Sequence, residues 1–296
     1  MAYSPIRQYL ETEIGLDSES IGHRKLEAVV ASRMREHGLD DPAEYCRLMA
    51  RDAVEREHII EDIVVPETWF FRDHGPFQLL ADMGSRCEFA ASQARPLRVL
   101  SLPCATGEEP YSIAMTLVDA GLPPAALEID AVDISSRALA KARRAVFGRS
   151  SFRGAIGGWR ERHFSAEGKS HHLHARIADL VHFHQGNILG PGFSLTPVRP
   201  YKIIFCRNLL IYLTQDARRR VFERLDSLLE PGGLLFAGHT EVLLFQQFGY
   251  ELMAEKGCFA SRKPLPGAAQ EEPVRLPARQ PVKAAGRVPP GRPKVF

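Results

Sequence analysis

Two adjacent acids, Glu108 and Glu109, follow the turn Ala105-Thr106-Gly107, and a third, Asp133, closes a later apolar run. A small residue and a glycine where a strand gives way to a helix let a ligand approach the backbone at the carboxyl end of a sheet. A dinucleotide site would carry G-x-G-x-x-G there to seat a pyrophosphate on the helix N-terminus. Acids in that place repel phosphate and suit a cation. They equally complement the positive end of a helix dipole, so the turn alone leaves both roles open. Asp133 stands where a carboxylate can accept from both hydroxyls of a ribose. It would also serve as a helix N-cap, although Ser135 is available for that. Together Gly107, Glu109 and Asp133 favour an adenosyl ligand without phosphates, a description that S-adenosylmethionine fits.

The elements that must hold these residues are legible in the hydrophobic pattern. Residues 97–102, 128–133, 201–206 and 233–239 read as strands, and 109–120, 135–146 and 215–229 as amphipathic helices. That alternation predicts βαβ units and a mainly parallel, doubly wound α/β sheet. From Ser4 to about Ile63 the pattern is helical, with Leu26, Val29, Val30 and Met34 at helical spacing and a helix opening at Asp41-Pro42. The division expected is a small N-terminal helical domain with its linker (1–85), a sheet domain (86–262) carrying a β-hairpin insertion at about 159–185, and a disordered proline-rich tail (263–296). A linker that ends where the chain ends hints at a further downstream interaction domain. On the first long helix Arg24 and Arg35 share a face and read as solvated charge that an acidic partner can touch.

Five stretches, in one order over roughly residues 60 to 260, resemble the chemotaxis-type (CheR family) protein-glutamate O-methyltransferases. They are Glu67-Thr68-Trp69-Phe70-Phe71-Arg72-Asp73, Thr106-Gly107-Glu108-Glu109-Pro110-Tyr111-Ser112-Ile113-Ala114, Asp133-Ile134-Ser135, Phe205-Cys206-Arg207-Asn208-Leu209-Leu210-Ile211-Tyr212-Leu213, and residues 229–241 from Leu229-Glu230-Pro231 to His239-Thr240-Glu241. The resemblance implies a Rossmann-like S-adenosylmethionine methyltransferase sheet with an inserted antiparallel β-subdomain. It implies methyl transfer to glutamate carboxylates in the cytoplasmic methylation region of a chemoreceptor, releasing S-adenosylhomocysteine. By position it gives Glu109 to the cofactor's amino group, Asp133 to its ribose, and Asn187 and Ile188 to the adenine edge. Thr68, Arg72, Arg207 and Asn208 close the methionine end, and Arg72 with Tyr212 forms the catalytic pair. Without the resemblance, Asn187 reads as a turn residue in Gln185-Gly186-Asn187, and Thr68 as a cap or turn hydroxyl. Arg72 reads as a surface ion pair with Asp73 or a nearby acid, and Tyr212 as a half-buried ring with its hydroxyl in water.

In the family a longer glycine-containing turn on the inserted hairpin is associated with tethering to a receptor's C-terminal peptide. Here the connection Ser165-Ala166-Glu167-Gly168-Lys169-Ser170 is brief, so recognition of the methylation region without a tail peptide is expected. His171, His172 and His174, and then His182 and His184, could present imidazoles in pairs, but no acid or cysteine completes a metal site at ligand spacing. None is expected.

A net charge of +2 over 296 residues offers no field to gather nucleic acid or to hold an anionic membrane. Cys206-Arg207-Asn208-Leu209 also replaces the Asn/Asp-Pro-Pro-aromatic motif of base-methylating enzymes. No apolar run is long enough for a membrane span, and no signal-peptide pattern opens the chain, which points to the cytoplasm. The five cysteines (46, 87, 104, 206 and 258) contain no C-x-x-C pair and read as reduced, mostly buried hydrophobes. The competing readings are a noncatalytic receptor-binding module that has kept the fold, and a methyltransferase acting on another substrate class.

Overall fold

The computed structural model describes residues 3–89, 94–154, 157–195 and 199–267. The expected tail beyond Gly267 lies outside them.

Four helices form the N-terminal unit: α1 (Ser4–Ile14), α2 (His23–Glu36), α3 (Pro42–Arg51) and α4 (Ala53–Ile63). Asp41 and Asp52 cap α3 and α4 by accepting from backbone N–H groups. The unit has its own apolar core, in which Ile6, Leu26, Val30, Tyr45 and Ile59 are fully buried. A polar cluster runs through it. Glu55, 1% exposed, receives Arg33 Nε at 2.9 Å, the Tyr45 hydroxyl at 2.6 Å and His37 Nε2 at 2.8 Å, and the Arg33 Nη2 atom pairs with its second oxygen. Arg24 and Arg35 are exposed, as expected; Arg33, on the same helix, is the buried cation.

The sheet domain begins before residue 86. Helix α5 (Gly75–Ser85), grouped with the helical segment by sequence, packs instead on α6 (Glu108–Asp119), and Phe70, Phe77, Leu80 and Met83 join the sheet's core. The two units therefore part near residue 64: Ile59 and Ile63 belong to the core of the helical unit, whereas Phe70 and Phe77 belong to that of the sheet.

The remaining elements are β1 (Leu97–Ser101), β2 (Leu127–Asp133), α7 (Ser136–Arg144), β3 (Val146–Phe147), α8 (Trp159–His163), β4 (Phe164–Glu167), β5 (Ser170–Leu173), α9 (Ala175–Ala178), β6 (Val181–Gln185), β7 (Tyr201–Cys206), α10 (Gln215–Leu228), β8 (Leu229–Ala237), α11 (Val242–Gln246), β9 (Glu251–Leu252) and β10 (Ala260–Arg262). Among the described residues the main sheet has seven strands in the order β6-β2-β1-β7-β8-β10-β9. Its first five are parallel, and β10 runs antiparallel to both neighbours. The strand order reverses direction at β1, which puts the carboxyl ends of β1, β2 and β7 around one crevice.

The insertion is a three-stranded antiparallel sheet, β3-β5-β4, whose tip is the two-residue turn Gly168-Lys169. Its limits differ from the sequence reading at both ends. Arg162 and His163 belong to α8, and β6 is an edge strand of the main sheet, registered against β2 from Ile129 to Asp133. Strand β6 alternates Val181 inward with His182 and His184 outward, so its polar residues hide its place in the sheet.

The insertion grips the main domain through aromatic rings. Phe70, 1% exposed, lies 4.8 to 5.3 Å from the rings of Phe147, Phe152, Trp159 and Phe164. Removing such a ring costs about 3–5 kcal/mol. The histidines take separate partners: His172 pairs with Glu167 at 3.1 Å, His174 with Ser165 at 3.1 Å and His184 with Asp130 at 2.9 Å, while His171 packs on Phe152. Three of the five free cysteines are buried, and Cys87 is exposed. Among the described residues no helix is long and apolar enough to cross a membrane.

Candidate functional site

One cavity, at the carboxyl ends of β1, β2 and β7, is lined by Thr68, Arg72, Glu109, Asp133, Asn187, Ile188, Arg207, Asn208 and Tyr212. These nine residues, to which the family resemblance gives the site, line the same space, whereas Gly107 and Glu108 do not. The helical unit supplies a wall that the sequence reading did not foresee, formed by Ile14, Leu16, Ile21, Ile63, Val64 and Val65. Nothing local marks these residues, since each is an ordinary core type in a helical pattern.

Asp133 ends β2 with 7% exposure, and its two oxygens accept from the backbone N–H of Ala105 at 2.8 Å and of Ser135 at 2.9 Å. Each oxygen keeps a free lone pair, enough for a diol. Ser135 is the N-cap of α7, accepting from Ala138 N at 2.9 Å, so Asp133 is not needed as a cap. Burial pushes the Asp133 carboxyl up, and those N–H groups oppose the rise.

Glu109 and Glu108 part company. Glu109 lines the cavity, accepts from Ser101 Oγ at 2.8 Å and pairs with Arg207 Nη1 at 3.1 Å. Burial pushes its carboxyl up, and Arg207 draws it back. Glu108 turns away to the Thr106 hydroxyl at 2.6 Å and the Ser151 hydroxyl at 2.7 Å, tying the turn to the segment after β3. The expectation of two ligand-facing acids is therefore corrected to one, because neighbours on a helix point about 100° apart. Gly107 is also reassigned. Its φ is +96°, and a Cβ there would meet Ala142 Cβ at 2.9 Å, so it serves packing against α7, while Ala105 meets the cavity.

Arg207, 4% exposed, joins the two ends of the site. Besides Glu109, its Nη2 donates to Asp73 Oδ2 at 2.6 Å and to the Arg72 carbonyl at 3.0 Å. Arg72 stacks on Trp69 with its guanidinium carbon 4.4 Å from the ring centre and donates from Nη1 to the Glu67 carbonyl at 3.0 Å. The ion pair with Asp73, the alternative reading of Arg72, does not form; Arg207 takes Asp73. The Nε atoms of Arg72 and Arg207 are buried and bond no protein acceptor among the described residues. Phe71, Asp73, Ala105 and Asn208 hold positive φ although none is glycine, so backbone strain is concentrated at this rim.

Asn187 is more committed than the sequence implied. Its Nδ2 donates to the Glu13 carbonyl of α1 at 2.6 Å, and its Oδ1 accepts from Leu189 N at 2.9 Å. A ligand meets its backbone and one remaining amide hydrogen. Other bonds clamp the helical unit over the cavity: Glu61 accepts from the Ser135 and Ser136 hydroxyls at 2.5 and 2.9 Å, Asp17 N donates to the Tyr212 carbonyl at 2.8 Å, and Thr214 N to the Gly15 carbonyl at 2.9 Å.

Glu241 closes the last of the five stretches, and its role is set by tertiary contacts. Fully buried, it accepts from Gly238 N at 2.8 Å, Asn208 N at 2.7 Å and Ile211 N at 3.1 Å, fixing the loop that carries Asn208 and Tyr212. Gly238 must lack a Cβ, which would come within 2.5 Å of a Glu241 oxygen. Glu241→Gln turns an N–H donor toward backbone donors, so a stability loss of about 1–3 kcal/mol is expected by chemical denaturation. An unchanged midpoint would show that the loop does not depend on this carboxylate.

Ligand chemistry follows from the donor set: an acid for a cation, an acid with lone pairs for a diol, apolar walls for a flat ring, and the Glu109 carboxylate where a phosphate would need N–H groups. These features fit S-adenosylmethionine and exclude a dinucleotide.

The comparisons agree. Residues 66–256 match the family model described as CheR methyltransferase, SAM binding domain, and residues 1–64 match CheR methyltransferase, all-alpha domain. The chain is 43% identical over 253 residues to the probable biofilm formation methyltransferase WspC of Pseudomonas putida, covering 86% of this chain and 59% of that protein. To the WspC of Pseudomonas aeruginosa it is 41% identical over 278 residues, covering 93% and 66%. To the chemotaxis protein methyltransferase of Escherichia coli it is 34% identical over 216 residues, covering 71% and 73%. The chain thus spans about three fifths to two thirds of the length of the two Pseudomonas relatives. With both of its units matched in order, and a cavity between them suited to S-adenosylmethionine, the chain belongs to the CheR methyltransferase family.

Proposed function

We propose that the chain esterifies glutamate side chains in the cytoplasmic methylation region of a chemoreceptor. The supporting observation is that Arg72, whose buried Nε bonds no acceptor among the described residues, shares one cavity with Tyr212, Glu109 and Asp133.

S-Adenosylmethionine, when bound, supplies an electrophilic methyl group on a sulfonium. Glu109 would take its ammonium and Asp133 its ribose diol, with Asn187 and Ile188 at the adenine edge. Thr68, Arg207 and Asn208 would close the methionine end. A glutamate acceptor is ionised at pH 7, its ordinary pKa being about 4.3, so no general base is required. What the chain must provide is alignment and exclusion of water. Arg72 would hold the acceptor carboxylate by a forked pair of hydrogen bonds, leaving a lone pair of one oxygen aimed at the methyl carbon. The Tyr212 hydroxyl would steady the same group. The two-residue turn of the insertion supports capture without a receptor tail peptide.

Incubation with methyl-labelled S-adenosylmethionine and a cytoplasmic receptor fragment should give a base-labile label released as methanol. Label stable to base, or none on the fragment, would overturn the reading.

A further inference from the structure

The insertion carries a second guanidinium to the rim of the cavity. Arg153 follows Phe152 of the aromatic cluster, and its guanidinium carbon lies 5.3 Å from the Trp69 ring centre, against the same indole that carries Arg72. The two cations therefore lie within roughly 10 Å of each other, each attracted by one ring. Arg153 Nη1 also pairs at 2.9 Å with the carboxylate of Glu67, whose carbonyl receives Arg72 and whose residue lines the cavity.

We infer that Arg153 is a specificity-determining residue that binds a second carboxylate on the acceptor, close to the glutamate held by Arg72. This rests on the proposed reaction and adds to it: the preferred substrate is a segment with two acids near each other, not an isolated glutamate. Three observations carry the inference. Two guanidinium groups held against one ring at a cavity mouth make a local positive field that attracts anions. The Glu67–Arg153 pair is half exposed at both ends, 57% and 51%, and such pairs contribute little, so an incoming carboxylate displaces Glu67 readily. Trp69 restrains the guanidinium, which lowers the entropy lost when it binds. On a helical acceptor, acids three or four residues apart have Cβ atoms about 5–6 Å apart, and their side chains span the gap between the two cations.

The test uses the full chain and two forms of one receptor fragment: the parent, and one in which acids within four residues of the acceptor glutamate are changed to glutamine. With the parent, Arg153→Gln should raise KM for the fragment roughly tenfold while kcat and S-adenosylhomocysteine affinity stay unchanged. With the glutamine form, wild type and Arg153→Gln should give the same KM. Equal losses on both forms, or no loss on the parent, would overturn the inference. Because wild type must first esterify the parent fragment, failure of the reaction itself is seen separately, as no base-labile label with any variant.

Discussion

Arg72→Ala should lower kcat for methyl transfer by about 10²–10³-fold, the range for removing one preorganised donor from a reacting oxygen, while leaving the fold intact. The fold should survive because Arg72 supports little of it: one bond to the Glu67 carbonyl and a stack on Trp69. The segment that carries it is held by other means. Phe70 N donates to the Ser151 carbonyl at 2.9 Å, Phe71 N to Ser112 Oγ at 3.0 Å, and the Phe70 ring is locked among four others. Arg72→Lys keeps the charge but loses the forked geometry, and should recover only a small part of the rate. Cofactor affinity, read by titration with S-adenosylhomocysteine, should change far less than kcat. Turnover of Arg72→Ala close to that of wild type would remove Arg72 from the reaction.

The second large effect lies in the helical unit. Burial alone would raise the Glu55 carboxyl, but hydrogen bonds from Arg33, Tyr45 and His37 hold it at about 2, against an ordinary 4.5. A carboxylate depressed on folding stabilises fully above its unfolded pKa, and that stability is lost as pH falls from about 4.5 toward 2. The shift corresponds to an order of 3 kcal/mol. Arg33→Met keeps the side chain's bulk but strands Glu55 without its principal partner, and should cost about 3–5 kcal/mol at pH 7. It should also flatten the stability loss between pH 5 and pH 3, because Glu55 then keeps a higher pKa in the folded state. Glu109 and Asp133 act with the opposite sign, since burial raises both, so the difference between wild type and variant isolates Glu55. Parallel pH profiles for the two proteins, measured by urea unfolding, would show that the cluster is not the acid-sensitive element. The clamp over the cavity runs through α4, which holds both Glu55 and Glu61, so loss of this helix should loosen the cofactor wall as well.

The sheet was legible in the sequence because its signal is local. Runs such as Leu97–Ser101 and Tyr201–Cys206 are buried on both faces and read as apolar strands. Asp133 and the Thr106-Gly107-Glu108-Glu109 turn were legible for the same reason: strand ends and helix starts impose their residue types over a few positions. Strand β6 was misplaced because its exposed histidines break the apolar run, and only its register against β2 puts it in the sheet.

The sequence by itself determined the α/β alternation, the helical N-terminal unit and, through the family's motifs, nine of the residues that line one cavity. The tertiary structure decided what those residues do to one another. It separated Glu108 from Glu109, gave Gly107 to packing and engaged Asn187 with α1. It passed Asp73 from Arg72 to Arg207, and brought Glu241 and Arg153 to the site from distant parts of the chain. The physical reason is one of range. Strand and helix patterns are written by neighbours within a turn or two, whereas side-chain orientation, burial and pairing depend on groups brought together by packing across 30 to 174 positions of sequence.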